Sequence, residues 1–311
     1  MIWLLVFGLA AAVGGGLVCF TALMARRVAT ACPPAGYFVD VPGARLHVVE
    51  RGQGPALLLV HGLAGQLSHF TYGIVDQLAA HYRVVAVDRP GSGYSVRAAG
   101  ASATLGAQAD VLAALIERLE LGRPVVVGHS LGGAVALALA QRHPHRVAGL
   151  ALVAPLTHLI EDVPTAFKGL VIAQPWLRTL VAWTLAVPLG MAKRDDVLAA
   201  VFGPEAVPRD FATRGGGLLA LRPSHFIAAC ADLAAANEDL PQMMRLYATM
   251  QLPVSIFYGR ADRILDPQTQ GEALAAKLPG AELLLLDGGH MLPITAPDRT
   301  AEFIRQAAAR A

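Results

Sequence analysis

Short apolar runs recur along residues 37–311, and the stretches between them carry apolar side chains at helical spacing. The runs are too short for helices and lack the strict alternation of a strand with one face in water. They are typical of strands that are buried on both faces of a parallel sheet. The runs lie at residues 57–60, 84–87, 125–127, 150–153, 254–257 and 283–286.

The clearest helical stretch lies between the second and third runs. Its apolar residues share one face of a helix, and Gly122 suits the position of a C-terminal cap. These residues are Leu105, Ala109, Leu112, Leu115, Ile116 and Leu119. The order of strand, helix and strand predicts a doubly wound α/β sheet, in which functional loops follow the carboxyl ends of the strands.

The alternation stops between residues 156 and 245, where the sequence becomes helical and rich in leucine and aromatic side chains. An insertion of this kind indicates a helical cap over the catalytic edge of the sheet. The expected organisation is therefore a core formed by residues 37–155 and 246–311, with a cap formed by residues 156–245.

The N-terminal segment is the most apolar part of the chain, and residues 1–25 carry no charged side chain. At about 1.5 Å per residue, a helix of that length crosses a hydrocarbon core of about 30 Å. A cleaved signal peptide is the alternative, but it usually starts with positive charge and has a shorter apolar core. The favoured interpretation is a retained, single-pass transmembrane anchor. Residues 26–36, which include two prolines, are expected to form a linker.

Two arginines directly follow this apolar segment. By the positive-inside rule, Arg26 and Arg27 place the rest of the chain on the cytoplasmic side of the membrane. They also account for the whole formal net charge of +2, because the remaining 23 basic residues balance 23 acidic ones. A nucleic-acid partner is not expected, since no basic excess is left to neutralise phosphates.

The composition excludes a disordered chain, and the cysteines give no sign of a disulfide or metal framework. A chain with 55% hydrophobic and 15% charged residues does not have the composition of a disordered protein. The cysteines are odd in number and scattered, at Cys19, Cys32 and Cys230. This pattern supports neither a disulfide framework nor a cysteine-rich metal site.

The candidate nucleophile lies in the motif G-H-S-L-G at residues 128–132, between the run at 125–127 and a helical stretch. Gly-x-Ser-x-Gly in a strand-turn-helix context is typical of a nucleophile elbow, a strained turn that exposes the serine hydroxyl. The N-terminal dipole of the following helix would help to stabilise negative charge there. The motif therefore predicts Ser130 as a catalytic nucleophile.

A base and an acid follow the serine in the order that an elbow enzyme requires. Asp262 follows the run at 254–257, and His290 follows the run at 283–286. Each is expected on a loop at the carboxyl end of its strand, where three loops can converge. Asp266 is the rival acid, but its position directly before Pro267 suits a helix N-cap.

A further loop follows the run at 57–60, with the sequence H-G-L-A-G at residues 61–65. Its glycines would let the backbone pass close to the serine. The amide of Leu63 could then join that of Leu131 in an oxyanion hole. A tight strand-to-helix turn without a catalytic part is the alternative interpretation.

Taken in order, these motifs resemble the capped serine α/β-hydrolases, the lipase- and esterase-related superfamily. The matching features are the His61-Gly62 motif, the segment D-R-P-G-S-G-Y-S at residues 88–95, the elbow, Asp262 and His290. The resemblance covers residues 37 to 311. It implies a mostly parallel, eight-stranded sheet, a structural turn at residues 88–95, and neither a metal nor an organic cofactor. Epoxide hydrolases and haloalkane dehalogenases of this superfamily are expected to use an aspartate where this chain has Ser130.

The expected activity is hydrolysis of a carboxylic ester or related acyl compound, apolar or lipid-like, through an acyl-enzyme. Trp176, Trp183 and Met291 are candidates for an apolar substrate pocket, although helical Trp and Leu stripes more often serve packing. Specificity depends on pocket contacts rather than on the fold. The same triad could therefore act on a C–C bond beside a carbonyl, form a peracid or transfer an acyl group to an alcohol. The sequence is also compatible with a small-molecule binding protein without turnover, and with a cap that binds a protein or the membrane surface.

Overall fold

A single sheet of nine strands organises the protein, in a computed structural model that describes residues 1–311. The strand order is β1-β2-β4-β3-β6-β7-β8-β9, and β5 pairs with β2 beside this path. The strands are β1 (Tyr37–Val41), β2 (Ala44–Arg51), β3 (Ala56–Val60), β4 (Arg83–Val87), β5 (Val96–Arg97), β6 (Val125–His129), β7 (Gly149–Val153), β8 (Val254–Gly259) and β9 (Glu282–Leu286). The pairs from β4 to β9 are parallel, whereas β2 is antiparallel to β1, β4 and β5.

The six apolar runs of the sequence are confirmed as six parallel strands, β3, β4, β6, β7, β8 and β9. The fold class is also confirmed. The expected eight strands correspond to the continuous path from β1 to β9. The sheet also has a ninth strand, β5, of two residues, which pairs with β2 beside that path. So short a strand leaves no periodic signal in the sequence.

The helices cover both faces of the sheet and fill the segment between β7 and β8. They are α1 (Ile2–Ala31), α2 (Ser68–Thr71), α3 (Ile74–Leu78), α4 (Leu105–Arg118), α5 (Leu131–Arg142), α6 (Pro175–Trp183), α7 (Ala186–Ala192), α8 (Arg194–Phe202), α9 (Pro223–Leu246), α10 (Ala273–Ala275), α11 (Leu292–Thr295) and α12 (Pro297–Ala309). Residues 156–245 are called the cap segment below.

The alternation of side chains along β3 shows how the two faces are covered. Leu58 and Val60 pack in a cluster with residues of α4, α5 and α9. Leu57 and Leu59 belong to a second cluster, which includes residues of α3 and α12. Strands buried on both sides in this way require apolar residues at successive positions, which is why the runs do not alternate.

The end of α4 differs from the prediction. Glu120 directly follows the C-cap Leu119 and adopts the left-handed conformation that ends the helix, with φ of +52°; Gly122 is left-handed too, with φ of +65°, but lies two residues further on. The N–H of Leu121 donates to Ile116 O, and the N–H of Glu120 donates to Glu117 O, both at 3.0 Å. These are the two bonds of a Schellman motif, so the helix closes two residues before the predicted glycine.

Helix α1 extends six residues beyond the predicted end at residue 25. It is long and apolar enough to cross a membrane. Its C-terminal part packs on the cap segment, where Val28 and Cys32 form a cluster with Leu219. The first part of the expected linker is therefore helical. The helical conformation keeps Val28 and Cys32 in apolar contact with the cap segment, a contact that a flexible linker would not hold in place.

The segment D-R-P-G-S-G-Y-S at residues 88–95 forms a structural turn, as the resemblance implied. The Asp88 carboxylate accepts the N–H groups of Leu67 and Tyr94 at 2.7 and 2.9 Å. The Ser95 hydroxyl donates to Asp88 O at 2.7 Å. The turn therefore joins the end of β4 to the loop that follows β3.

Candidate active site

Ser130 is the single residue between β6 and α5. Its φ of +55° lies in the left-handed region, where a non-glycine residue is strained. Its N–H donates to Val153 O at 3.0 Å, and its carbonyl accepts the N–H of Leu156 at 2.9 Å. A Cβ at position 132 would lie 2.1 Å from Val60 O, so glycine is required where α5 starts beside β3. The geometry is that of the predicted elbow.

His290 and Asp262 form a buried pair. Nδ1 of His290 lies 2.7 Å from Oδ2 of Asp262, and the side chains are 4% and 0% exposed. The other carboxylate oxygen of Asp262 accepts the N–H groups of Ile264 and Leu265 at 2.8 and 3.0 Å. The loop after β8 thus holds the carboxylate against the imidazole.

The imidazole lies at the same sheet edge as the serine. His129, next to Ser130, has its ring centroid 5.0 Å from that of His290, and its Nε2 donates to His290 O at 3.1 Å. Burial lowers the pKa of His129 well below its ordinary value, which keeps this side chain neutral. Ser130 Oγ and His290 Nε2 do not form a hydrogen bond with each other; such bonds often tighten only when substrate is bound.

The loop after β3 passes directly against the serine. A Cβ at Gly62 would lie 2.7 Å from Ser130 Cβ, so glycine is needed for this approach. The amides of Leu63 and Leu131 donate to no protein acceptor. Leu131 is the first residue of α5, so its N–H has no partner within the helix. Two amides beside Ser130 are therefore available to an oxygen of a bound molecule.

A buried guanidinium group fixes that loop. Arg89 donates to His61 O and Gly62 O at 2.8 and 2.9 Å. Its N–H donates to Nε2 of His61 at 2.9 Å, and burial lowers the pKa of that imidazole well below its ordinary value. The guanidinium pairs with Asp232 of α9 at 2.6 Å, and both side chains are 0% exposed. A cap residue thus neutralises the cation that holds the loop.

A second cap residue contacts the same loop. Nε2 of His225 donates to Ala64 O at 3.0 Å, and Nδ1 accepts the N–H of Gly93 at 3.3 Å. Burial lowers the pKa of His225, so the imidazole is neutral and can accept at one nitrogen while donating at the other.

A third cap residue, Glu205, contacts the loop that carries His290. Both of its carboxylate oxygens lie 3.1 Å from the N–H of Gly289. Sequence reasoning identified none of Glu205, His225 and Asp232 as site residues. They lie at unrelated positions along the cap segment and share no motif, so only the tertiary contacts reveal them.

The candidate pocket residues differ in burial: Met291 is buried, whereas Trp176 and Trp183 are exposed. Met291 is buried in a cluster with Phe202, Phe211 and Ile294. Trp176 and Trp183 are 67% and 38% exposed, on the outer surface of α6, so the structure does not enclose them in a pocket. A helical Trp stripe has the same spacing whether it faces inward or outward, so the sequence alone does not settle the direction of these side chains.

The rival acid has a structural part. Oδ1 of Asp266 accepts the N–H groups of Gln268 and Thr269 at 2.7 and 2.9 Å, as an N-cap does.

A surface cavity of about 620 Å³ is separate from the site. Its lining includes Ala148 and Pro253, which directly precede β7 and β8, so it lies at the opposite edge of the sheet from Ser130.

Comparisons with known proteins agree with this fold. An uncharacterised protein of Mycobacterium tuberculosis is 30% identical over 287 residues, which cover 90% of this chain and 82% of that protein. The crystal structure of the enol-lactonase from Burkholderia xenovorans LB400 superposes with a TM-score of 0.70 at 23% identity, covering 88% of this chain and 100% of that chain. A bacterial membrane phospholipase A superposes with a TM-score of 0.66 at 25% identity, covering 98% of this chain and 96% of that chain. A family model for the alpha/beta hydrolase fold matches residues 55–297, and the chain belongs to that family.

Proposed function

We propose that the protein is a serine hydrolase that cleaves a carboxylic ester or related acyl compound, with an apolar or lipid-like acyl group. The observation that carries this proposal is the 2.7 Å contact between His290 and Asp262 beside the serine elbow. Ser130 is the proposed nucleophile, His290 the base and Asp262 the residue that orients the base. A serine at the elbow favours acyl transfer over dehalogenation or epoxide opening, for which an aspartate is expected.

In the first half of the reaction, His290 Nε2 takes the hydroxyl proton of Ser130 while Oγ attacks the substrate carbonyl carbon. The carbonyl oxygen becomes an oxyanion, which the amides of Leu63 and Leu131 stabilise. Asp262 holds the proton on Nδ1 and stabilises the imidazolium. His290 then gives its Nε2 proton to the leaving alkoxide, and the acyl group remains on Ser130.

In the second half, a water molecule takes the place of the leaving alcohol. His290 removes a proton from this water as it attacks the acyl carbon, and the same two amides stabilise the new oxyanion. When the bond to Oγ breaks, Ser130 recovers its proton from His290. The products are a carboxylic acid and an alcohol.

Three observations support an apolar substrate. Met291 follows His290 directly and is buried with Phe202 and Phe211 of the cap segment, so the base adjoins apolar side chains. Helix α1 would in addition keep the enzyme where lipid-soluble esters are concentrated. One structural neighbour is a bacterial membrane phospholipase A.

We propose further that α1 is a retained anchor and that the catalytic part lies on the cytoplasmic side. The superposition on the membrane phospholipase A covers 98% of this chain and therefore includes most of α1. Arg26 and Arg27 are both exposed at the end of the apolar segment that they follow. Protease treatment of spheroplasts and of inverted vesicles tests the side. Digestion of the catalytic part in inverted vesicles alone is expected, and digestion in spheroplasts would reverse the orientation.

Covalent labelling tests the hydrolase assignment. A fluorophosphonate probe is expected to label the full chain and the Ser102→Ala variant, since Ser102 is an exposed loop residue, but not Ser130→Ala. Unchanged labelling of Ser130→Ala would overturn the assignment of the nucleophile. A panel of esters graded in acyl length should show higher kcat/KM for longer chains, and a maximum at acetate would contradict the lipid-like substrate. Labelling or a burst without turnover on the whole panel would favour a binding protein.

A further inference from the structure

We propose that the outward apolar surface of α6 and α7 lies in the interfacial layer of a lipid bilayer, as a second membrane contact beside α1. The proposal rests on the proposed anchoring by α1 and concerns a surface that includes Trp176 and Trp183, two candidates for a substrate pocket. This outer surface, defined by Trp176, Leu180, Trp183, Leu185, Leu189 and Met191, is called the apolar face below.

The apolar face is directed away from the protein. Trp176, Leu180 and Trp183 are spaced four and three residues apart, so they lie on one side of α6. The exposed fractions of the six side chains run from 38% at Trp183 to 67% at Trp176. The inward side is held by small or buried residues, Ala182 of α6 and Val187 of α7. A surface helix in water normally directs its polar residues outward and only its apolar residues inward.

No charge interrupts the apolar face. Arg178 is the only charged residue of α6, and α7 has none. The Arg178 guanidinium is turned to the backbone, where it donates to Ile172 O and Ala173 O at 2.7 and 2.9 Å. An exposed apolar surface of this extent indicates an interaction site.

The position of α1 brings the cap segment close to the membrane. Thr21 is the first buried side chain of α1. The residues from Ile2 to the one before Thr21 span roughly 28 Å in a helix, close to the hydrocarbon thickness of about 30 Å. Helix α1 contacts α6 and the turn Gly217–Leu221, so the cap segment begins to cover α1 at the level where the helix leaves the hydrocarbon core. No spacer separates the cap segment from the bilayer surface.

The absence of acidic side chains along the apolar face, together with its two tryptophans, fits the headgroup level of a bilayer. Residues 163–192 contain no aspartate or glutamate; Lys168 lies within this stretch and Lys193 directly follows it. Arg178 is turned to the backbone, and Arg194 pairs with Asp195 at 2.8 Å. Lysine and arginine next to an exposed apolar helix are attracted to anionic lipids, and tryptophan is enriched at the level of the headgroups. This combination favours a bilayer over a protein partner or a second copy of the chain. An ester in the membrane could then reach the cap segment without crossing water.

Tryptophan fluorescence tests the proposal on the full chain, which contains only Trp3, Trp176 and Trp183. The Trp3→Phe variant reports on the apolar face, and the double variant Trp176→Phe/Trp183→Phe reports on α1. Both are reconstituted into vesicles of phosphatidylcholine and phosphatidylglycerol with brominated acyl chains. We expect bromine to quench the emission of both proteins at least twofold relative to unbrominated vesicles.

The outcomes separate this proposal from the anchoring and from the hydrolase assignment. Quenching of Trp3 without quenching in the Trp3→Phe protein would overturn the proposal and leave the anchor intact. If neither protein is quenched, the apolar-face proposal and the anchor are both overturned. If only the Trp3→Phe protein is quenched, the membrane contact of the apolar face is supported and the anchor is contradicted. Because the experiment does not measure activity, no outcome bears on the proposed hydrolase chemistry.

A matched pair of substitutions tests the specific surface. In the Trp3→Phe background, Leu180→Glu should at least halve the quenching in anionic vesicles, while Leu180→Lys should reduce it less. Leu180 is 52% exposed, so neither change disturbs a packed core. Equal quenching in all three proteins would contradict a membrane contact through this face. Chemical cross-linking into a dimer that Leu180→Glu abolishes, without quenching of the parent, would show that a second copy covers it instead.

Discussion

Glu205 of the cap segment accepts the N–H of Gly289, the residue before His290, with both carboxylate oxygens at 3.1 Å. The cap therefore holds the backbone from which the imidazole projects. Nothing in the proposed reaction requires Glu205 to touch the substrate, so its part is that of a positioning residue.

We predict that Glu205→Ala lowers kcat roughly 10- to 100-fold while KM changes little, because a displaced catalytic group loses its aligned geometry. Glu205→Gln should recover most of the activity, since its amide oxygen can still accept the N–H of Gly289. Steady-state kinetics on a soluble ester measure both constants. Glu161→Ala, an exposed change in the same segment, is the control. Equal losses of kcat in the Ala and Gln variants would contradict the assigned hydrogen bond.

Isosteric substitutions of the two candidate acids, Asp262 and Asp266, should have very different effects on kcat. Asp262→Asn is expected to lower kcat by roughly 10⁴-fold, because the amide cannot hold His290 in the required tautomer. Asp266→Asn should change kcat less than about threefold, since Asp266 caps the turn at Gln268 and Thr269. Kinetics with one ester and probe labelling of both variants measure the difference. A larger loss in the Asp266 variant would transfer the catalytic role to that residue.

The sequence predicted the parts of the fold that depend on local pattern. The runs that became β3, β4, β6, β7, β8 and β9 were visible because strands buried on both faces need consecutive apolar residues. The places of Ser130, Asp262 and His290 followed from their positions after three of those strands. Antiparallel β1 and β2 and the two-residue β5 were not singled out, since each carries less of this signal.

The cap could not be predicted to the same depth. Trp176 and Trp183 have a helical spacing that does not say which way they face, and the structure turns them outward. Asp232, His225 and Glu205 contact the site from three unrelated points of the segment. Their contacts depend on how the cap helices lie over the sheet edge, and no local pattern encodes that arrangement.

The buried pair of Arg89 and Asp232 should matter for stability as well as for the loop after β3. Asp232→Ala leaves both Arg89 and its second partner Arg97 without their shared counter-charge and is expected to lower the free energy of unfolding by about 3–5 kcal/mol. Glu117→Ala removes an exposed pair with Arg146 and should cost no more than about 1 kcal/mol. Urea unfolding of the detergent-solubilised chain, followed by circular dichroism, measures both. Similar midpoints for the two variants would show that the buried pair adds nothing beyond a surface one.

The stability of the protein should fall in mild acid because several histidines are buried in the neutral form. Burial lowers the pKa of His69 to about 4, with the nearby His225 and His290 acting in the same direction. Burial also lowers the pKa values of His61, His129 and His225. In the unfolded chain these imidazoles bind protons below a pH of about 6.5.

Between a pH of about 6.5 and the lower pKa of each folded group, the unfolded state binds more protons than the folded state. The stability is therefore complete above a pH of about 6.5 and is lost as the pH falls, by roughly 1 kcal/mol per pH unit for each such histidine. For His69, whose folded pKa is about 4, the loss should end near that pH. Thermal unfolding from pH 7.5 to 4.5 should show a steadily falling Tm. The variant His69→Asn, which removes one titrating group, should show a shallower slope. A Tm independent of pH across this range, or an unchanged slope in the variant, would contradict the neutral buried histidines.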